Sequence, residues 1–333
     1  MEEGARGRAF RDLSEKEIQG LVDSLNSLHE GELGIDMLVA CGEKAVEPLR
    51  RFLFEGNPSG IFVPRQRAVR ALAELGAKQV LLNYLAVEKH IQDPVAAHGE
   101  EAVQNTVARA LGIWHTDDVY EALRGVLRKK CLTGAIEALG DFRRPEAVPE
   151  LIAALEDDFC RTTAEDALCK TGELAHPALV EAARTPDPSG INERPSSRRR
   201  RRSALRLLEQ LHLSADDWQR LAALVHDRDS EIRARAGAIA LAVADQPAQE
   251  LAIRRLIEAL PASDWLLQGE IQGWLEAHLD IALPAINAEI SERQTTTGAD
   301  QSRDNILRLL LAVTRKKPAT DEAVTRKSTS EWT

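Results

Sequence analysis

The sequence predicts an all-α fold, an α–α superhelix in which helical hairpins stack into a solenoid. Three observations carry that expectation. Aromatic residues make up only 4% of the 333-residue chain, with two Tyr and six Phe, while Ala and Leu are plentiful. Sheets draw on aromatic and β-branched side chains, so this balance favours packed helices. A phrase ending in glycine recurs at Gly42, Gly76, Gly112, Gly140 and Gly172, at intervals of 34, 36, 28 and 32 residues. A proline-containing phrase follows three of these glycines and marks where a second helix starts. With 44% apolar and 29% charged residues, the chain can bury a core along such a stack.

In chain order, residues 1–32 open with a charged stretch through residue 12, expected to be frayed. Ser14, followed by Glu17, Ile18 and Leu21, is a capping-box start to an N-terminal capping helix. Residues 33–184 form a first sub-array. Its helix ends read Leu38-Val39-Ala40-Cys41-Gly42, Leu72-Ala73-Glu74-Leu75-Gly76, Ala108-Arg109-Ala110-Leu111-Gly112, Ile136-Glu137-Ala138-Leu139-Gly140 and Leu168-Cys169-Lys170-Thr171-Gly172. Glycine at such an end suits a residue in the left-handed conformation. The helix starts read Ala45-Val46-Glu47-Pro48-Leu49, Ala147-Val148-Pro149-Glu150-Leu151 and Ala175-His176-Pro177-Ala178-Leu179, with proline where an N–H has no intrahelical partner. Ala71, Leu72, Leu75, Leu111, Leu139, Leu151, Ile152, Leu155 and Leu168 are the expected buried contacts.

Gly56 to Gly60 and the region around Gln92-Asp93-Pro94 read as loops. Residues 185–202 read as a Pro/Ser/Arg-rich loop, because Pro186, Pro188 and Pro195 exclude a continuous helix. Residues 203–314 form a second sub-array, with a polar loop over 294–305 and a final helix from Ile306 to Val313. From 315 to 333 the periodicity is lost, and a disordered tail is expected.

One helix, a turn and a second helix cannot bury their apolar faces alone, so units of this period must stack on one another. Gly140-Asp141-Phe142-Arg143-Arg144-Pro145-Glu146-Ala147-Val148-Pro149-Glu150-Leu151 is the clearest unit. A second phrase, Leu224-Val225-His226-Asp227-Arg228-Asp229-Ser230-Glu231-Ile232-Arg233, sets an Asp-rich turn before a hydrophobic-Arg pair. The pattern resembles HEAT repeats of the short kind first associated with phycobilisome lyases, within the HEAT/armadillo-type class. The resemblance is strong over 33–183 and weaker over 203–290. It implies that Arg161 and Arg233 brace the Asp-rich turns as inter-repeat struts. Function is not implied, since such repeats serve many roles. Tetratricopeptide repeats need aromatic positions this chain cannot fill, and the ankyrin signature is absent.

Cys41, Cys131, Cys160 and Cys169 lack CxxC spacing and a His cluster, so reduced cysteines, no metal and a cytoplasmic location are expected. The start lacks a signal-peptide pattern, and no apolar stretch is long enough for a bilayer. None of the eight His falls into a catalytic motif, and GxSxG, P-loop, GxGxxG and HExxH are all missing. Deoxyhypusine hydroxylases, built from the same repeat class, hold two metals on paired His-Glu motifs. Here His29-Glu30 precedes the first clear repeat and His98-Gly99-Glu100 carries an inserted residue. No catalytic residue and no cofactor are therefore nominated.

The chain's net charge is −10, which argues against bulk affinity for polyanions. The helices expected to line one side of the stack span 65–75, 99–111, 126–139, 157–171, 197–211 and 230–244. They carry +7, leaving −17 elsewhere. Arg65, Arg67, Arg70, Lys129, Lys130 and the run Arg198, Arg199, Arg200, Arg201, Arg202 are the candidate partner-binding residues. The expected function is a non-catalytic scaffold gripping another macromolecule, most readily a protein, on a long shallow concave surface. The alternatives are nucleic-acid or phosphate binding in a basic groove, and handling of an open-chain tetrapyrrole as in bilin lyases. The Arg run is expected to serve recognition rather than stability.

Overall fold

The computed structural model describes residues 13–56, 60–187, 192–295 and 301–315. The expected frayed start, the middles of the loops at 56–60 and 185–197, residues 296–300 and the tail from 316 lie outside them. Every regular element among the described residues is a helix, so the fold is all-α. The chain divides into two compact units, residues 1–178 and 179–333.

The first unit holds α1 (Glu15–Ser24), α2 (Gly31–Cys41), α3 (Val46–Glu55), α4 (Val63–Glu74), α5 (Lys78–Ala86), α6 (Pro94–Leu111), α7 (Asp117–Leu127), α8 (Thr133–Phe142), α9 (Val148–Ala154) and α10 (Arg161–Thr171). Helices α2, α4, α6, α8 and α10 pack each against the next in one layer, and each is braced by the odd-numbered helix before it. These are the stacked hairpins the repeat demands. The Ser14–Glu17 capping box opens α1 as expected. Of the nominated contacts, Ala71, Leu72, Leu111, Leu139, Leu151, Leu155 and Leu168 are buried. Leu75 and Ile152 are only half-buried, since Leu75 caps α4 and Ile152 sits off the buried stripe of Leu151 and Leu155.

The recurring glycines turn out to do two different jobs. Gly42, Gly76 and Gly172 end their helices at φ of 66°, 72° and 62°, where glycine is favoured, though with ψ of −144° and −136° Gly42 and Gly172 are not in the left-handed helical conformation the pattern predicts. At Gly76 the Ala77 N–H donates to the Leu72 carbonyl at 2.9 Å and the Gly76 N–H to Ala73 at 3.0 Å, a Schellman closure. Gly112 is right-handed, and Gly140 lies inside α8, whose left-handed end is Arg143 at φ 52°. These two glycines are small for packing. A Cβ at 112 would stand 3.0 Å from the Cβ of Ala138, and one at 140 would stand 2.8 Å from that of Ala167.

The second unit holds α12 (Pro195–Leu208), α13 (Ala215–Leu221), α14 (Ser230–Val243), α15 (Gln246–Ala259), α16 (Trp265–Ala277), α17 (Leu279–Thr295) and α18 (Gln301–Arg315). Between α10 and α12, α11 (His176–Arg184) crosses the division. Ala240, Leu256, Ile271, Leu275 and Ile286 form a core onto which α18 docks with Ile306, Leu310 and Val313. Two boundaries differ from expectation. Helix α12 begins at Pro195, inside the stretch read as loop, because proline is accommodated at a first helical position. Helices α17 and α18 run into the polar stretch read as loop over 294–305.

Candidate functional site

The nominated cations fall into two groups, and the division follows helix geometry. Arg65 and Arg67, near the start of α4, are 4% and 7% exposed. Arg65 bonds the Glu100 carboxylate on α6 at 2.5 Å, and the Tyr84 hydroxyl donates to the other oxygen of Glu100 at 2.5 Å. Lys89 stands 3.1 Å from the same carboxylate. Burial pushes Glu100 up, but Tyr84, Arg65 and Lys89 outweigh it and hold its pKa below the ordinary range. Arg67 donates to the Leu25 and Ser27 carbonyls at 2.7 and 2.8 Å, closing the end of α1, and to Glu32 at 2.9 Å. Gly31 leaves the room for this, since a Cβ there would lie 2.0 Å from the guanidinium. Arg70 is exposed and bonds the second oxygen of Glu32 at 2.8 Å.

Lys129 and Lys130 lie in the turn between α7 and α8, because α8 starts at Thr133 rather than at 126. Lys129 pairs with Glu88, and Lys130 donates to the side-chain oxygen of Gln104. Burial pushes the Lys130 pKa down, against the pull of Glu101 and Glu100.

The arginine run wraps every face of α12. Arg198 is exposed, and Arg200 donates to the Thr185 carbonyl at 2.8 Å. Arg201, 2% exposed, bonds the Ala183 carbonyl at 2.9 Å, Glu193 at 2.8 Å and Asp227 at 2.5 Å. Arg202 forks onto Asp229 at 3.0 and 2.5 Å. Asp229 in turn caps α14, accepting from the Glu231 and Ile232 N–H groups at 3.1 Å. Arg201 and Arg202 are thus struts between α12 and the Asp-rich turn, which corrects the expectation that the run is irrelevant to the fold. Arg233 bonds the main-chain carbonyls of Asp227 and Arg228, leaving the carboxylates to the preceding helix. Arg161 lies 3.8 Å from Glu165 on its own helix. Deeper in the second unit, Arg235 serves three carboxylates, Glu209 and Glu231 at 3.1 Å and Glu270 at 2.8 Å.

Along the even-numbered layer of the first unit, exposed ion pairs link successive helices. Glu32 of α2 meets Arg70 of α4, Arg109 of α6 grips Glu137 of α8 through two nitrogens, and Asp141 of α8 meets Lys170 of α10 at 2.7 Å. The +7 of the nominated helices is therefore largely answered by neighbouring carboxylates, so the expected basic groove becomes a mosaic of paired charge.

Sequence reading missed a disulfide. Cys131 and Cys160 are bonded, while Cys41 and Cys169 remain thiols. Their separation of 29 residues is about one repeat, which brings equivalent positions of successive hairpins together. Disulfides persist in oxidising surroundings, so cysteine usage no longer argues for a reduced compartment. The Asp157 carboxylate lies with the two sulfurs inside 4.8 Å, but the sulfurs' bond to each other leaves that carboxylate the one ready ligand of the three. No described helix is long and apolar enough to cross a membrane.

Residues 133–157, covering α8, the following turn and α9, match the family model described as PBS lyase HEAT-like repeat. No curated protein matches the chain. With hairpin after hairpin stacked around that segment at the repeat's own period, the chain is a HEAT-like repeat protein.

Proposed function

We propose that the chain is a non-catalytic scaffold that grips another protein on the exposed face of the even-numbered helix layer in its first unit. The observation that carries this reading is the ladder Arg70–Glu32, Arg109–Glu137 and Lys170–Asp141. A polyanion is held by cations that release counterions, and cations already answered by carboxylates offer little of that gain. A protein surface of mixed sign can exchange partners with such a mosaic and read its register. A long face built by stacking also suits a macromolecule better than a small substrate. Arg70, Lys129, Lys130 and Arg198 are the exposed members of the nominated set, and of these Arg70 lies on the proposed face. Arg65 and Arg67 support it only by holding the stack.

The test is a photo-crosslinker placed at exposed position 166, beside Glu137 and Lys170 on this face, and, as control, at exposed position 79 on α5, in the full chain within its native extract. The reading expects a protein captured from 166 and not from 79. Equal capture from both would contradict it. So would retention on immobilised DNA or RNA whose affinity falls with salt at the slope of several phosphate contacts.

A further inference from the structure

The end of α5 and the loop after it, with residues of α6, α7 and the α7–α8 turn, line a pocket of about 520 Å³ in the first unit. Sites for small molecules run from roughly 300 to 1,000 Å³ and combine apolar walls with a few convergent polar groups. Here Leu82 and Leu85 of α5 and Ala122 and Val126 of α7 supply the walls, and Lys130 stands at the margin beside Gln104. We propose that this pocket binds a small amphiphilic anion, an apolar chain or ring ending in one carboxylate or phosphate, with its head group on the Lys130 ammonium.

Two independent features point there. The first is charge. Lys89 and Lys129 also reach the pocket, but Glu100 and Glu88 answer them. Among the described residues Lys130 pairs with no carboxylate, and its hydrogen-bond partner is the neutral amide of Gln104. Its surroundings also strip water from the ammonium, which is why its pKa is pushed down. An anionic head restores what that cation lacks, while an apolar body fills the space beyond it.

The second feature is Gly125. It lies inside α7, where glycine is a poor helix residue, and it lines the pocket. Nothing lies within 4 Å of where its Cβ would stand. Neither a turn nor a close helix approach calls for glycine here, unlike at Gly76 or Gly140. What the missing side chain preserves is the pocket's volume.

The experiment titrates the full chain by calorimetry with decanoate, decyl phosphate and decanol, which share one chain and differ in the head. At least one anion is expected to bind about ten-fold tighter than the alcohol. Whichever anion binds more tightly names the head group. Lys130→Gln should bring anion and alcohol to within about two-fold of each other, and Gly125→Leu should abolish saturable binding of all three. The proposal is overturned if decanol matches both anions, if neither anion binds saturably, or if Lys130→Gln leaves the preference intact. Should Gly125→Leu fail to fold, Lys130→Gln, in an exposed turn, decides alone. If Gly125→Leu folds and still binds, the ligand sits elsewhere and the proposal fails.

Discussion

Arg198 and Arg201 are three residues apart in one unbroken run, yet one is exposed and the other is buried among three acceptors. The difference is helical phase. Counting back from Leu208 and Leu205 by seven and four residues reaches position 201, so that arginine falls on the buried stripe of α12. The stripe was legible in the sequence, but charge alone hid it. Removing one partner of a buried ion pair leaves the others uncompensated, at a cost of about 3–5 kcal/mol. Arg201→Gln should therefore lower the urea midpoint strongly, while Arg198→Gln should change stability by less than about 0.5 kcal/mol. Equal midpoints would remove the strut. Glu209 gives the second residue-scale prediction. Burial pushes its pKa up to about 7, and Arg235, shared with Glu231 and Glu270, cannot pull it back. The folded chain then holds a proton that the unfolded chain releases as pH rises above the ordinary carboxylate value of 4.5. Stability from this group falls as pH rises through that window, on the order of 3 kcal/mol by pH 8, and does not return above it. In Glu209→Gln the loss between about pH 5 and pH 8 should shrink by that amount, and an unchanged pH profile would show that Glu209 titrates normally.

At the scale of the helix, glycine shows where sequence reading stops. Five phrases ending alike were legible as a repeat, and the hairpins stand where those phrases put them. Whether each glycine turns the chain or lets a neighbour approach was not legible, because both needs select the same residue and only the packed partner tells them apart. The same substitution should consequently have opposite signs at two sites. Gly140→Ala forces its Cβ toward Ala167 and should destabilise by about 1–3 kcal/mol, despite the better helix propensity. Gly125→Ala meets nothing and should stabilise by roughly 0.5–1 kcal/mol. Thermal unfolding of the pair reads both, and shifts of equal sign would refute the packing account. Between helices, the disulfide fastens the α7–α8 turn to the start of α10. Without reductant, denatured protein should take up thiol reagent at Cys41 and Cys169 alone. Labelling at Cys131 or Cys160 would show that the bond is absent.

For the whole chain, the repeat class was legible from period and caps, and the distribution of usable charge was not. A regional sum counts arginines wherever they point, whereas the stacked helices set Arg65, Arg67 and Arg201 inside and answer Arg70 and Arg109 from a neighbouring helix. A groove that looked basic on paper is, along the even-numbered layer, an alternation of paired signs. The scaffold reading depends on that alternation being the surface a partner sees. Reversing one member, Glu137→Arg, disturbs an exposed pair and should alter stability by less than about 1 kcal/mol. The most direct measurement is the affinity of Glu137→Arg for the protein captured at position 166, set beside the unaltered chain at matched salt. The account predicts a loss of at least about ten-fold with the melting temperature held. Undiminished affinity with the fold intact would contradict it.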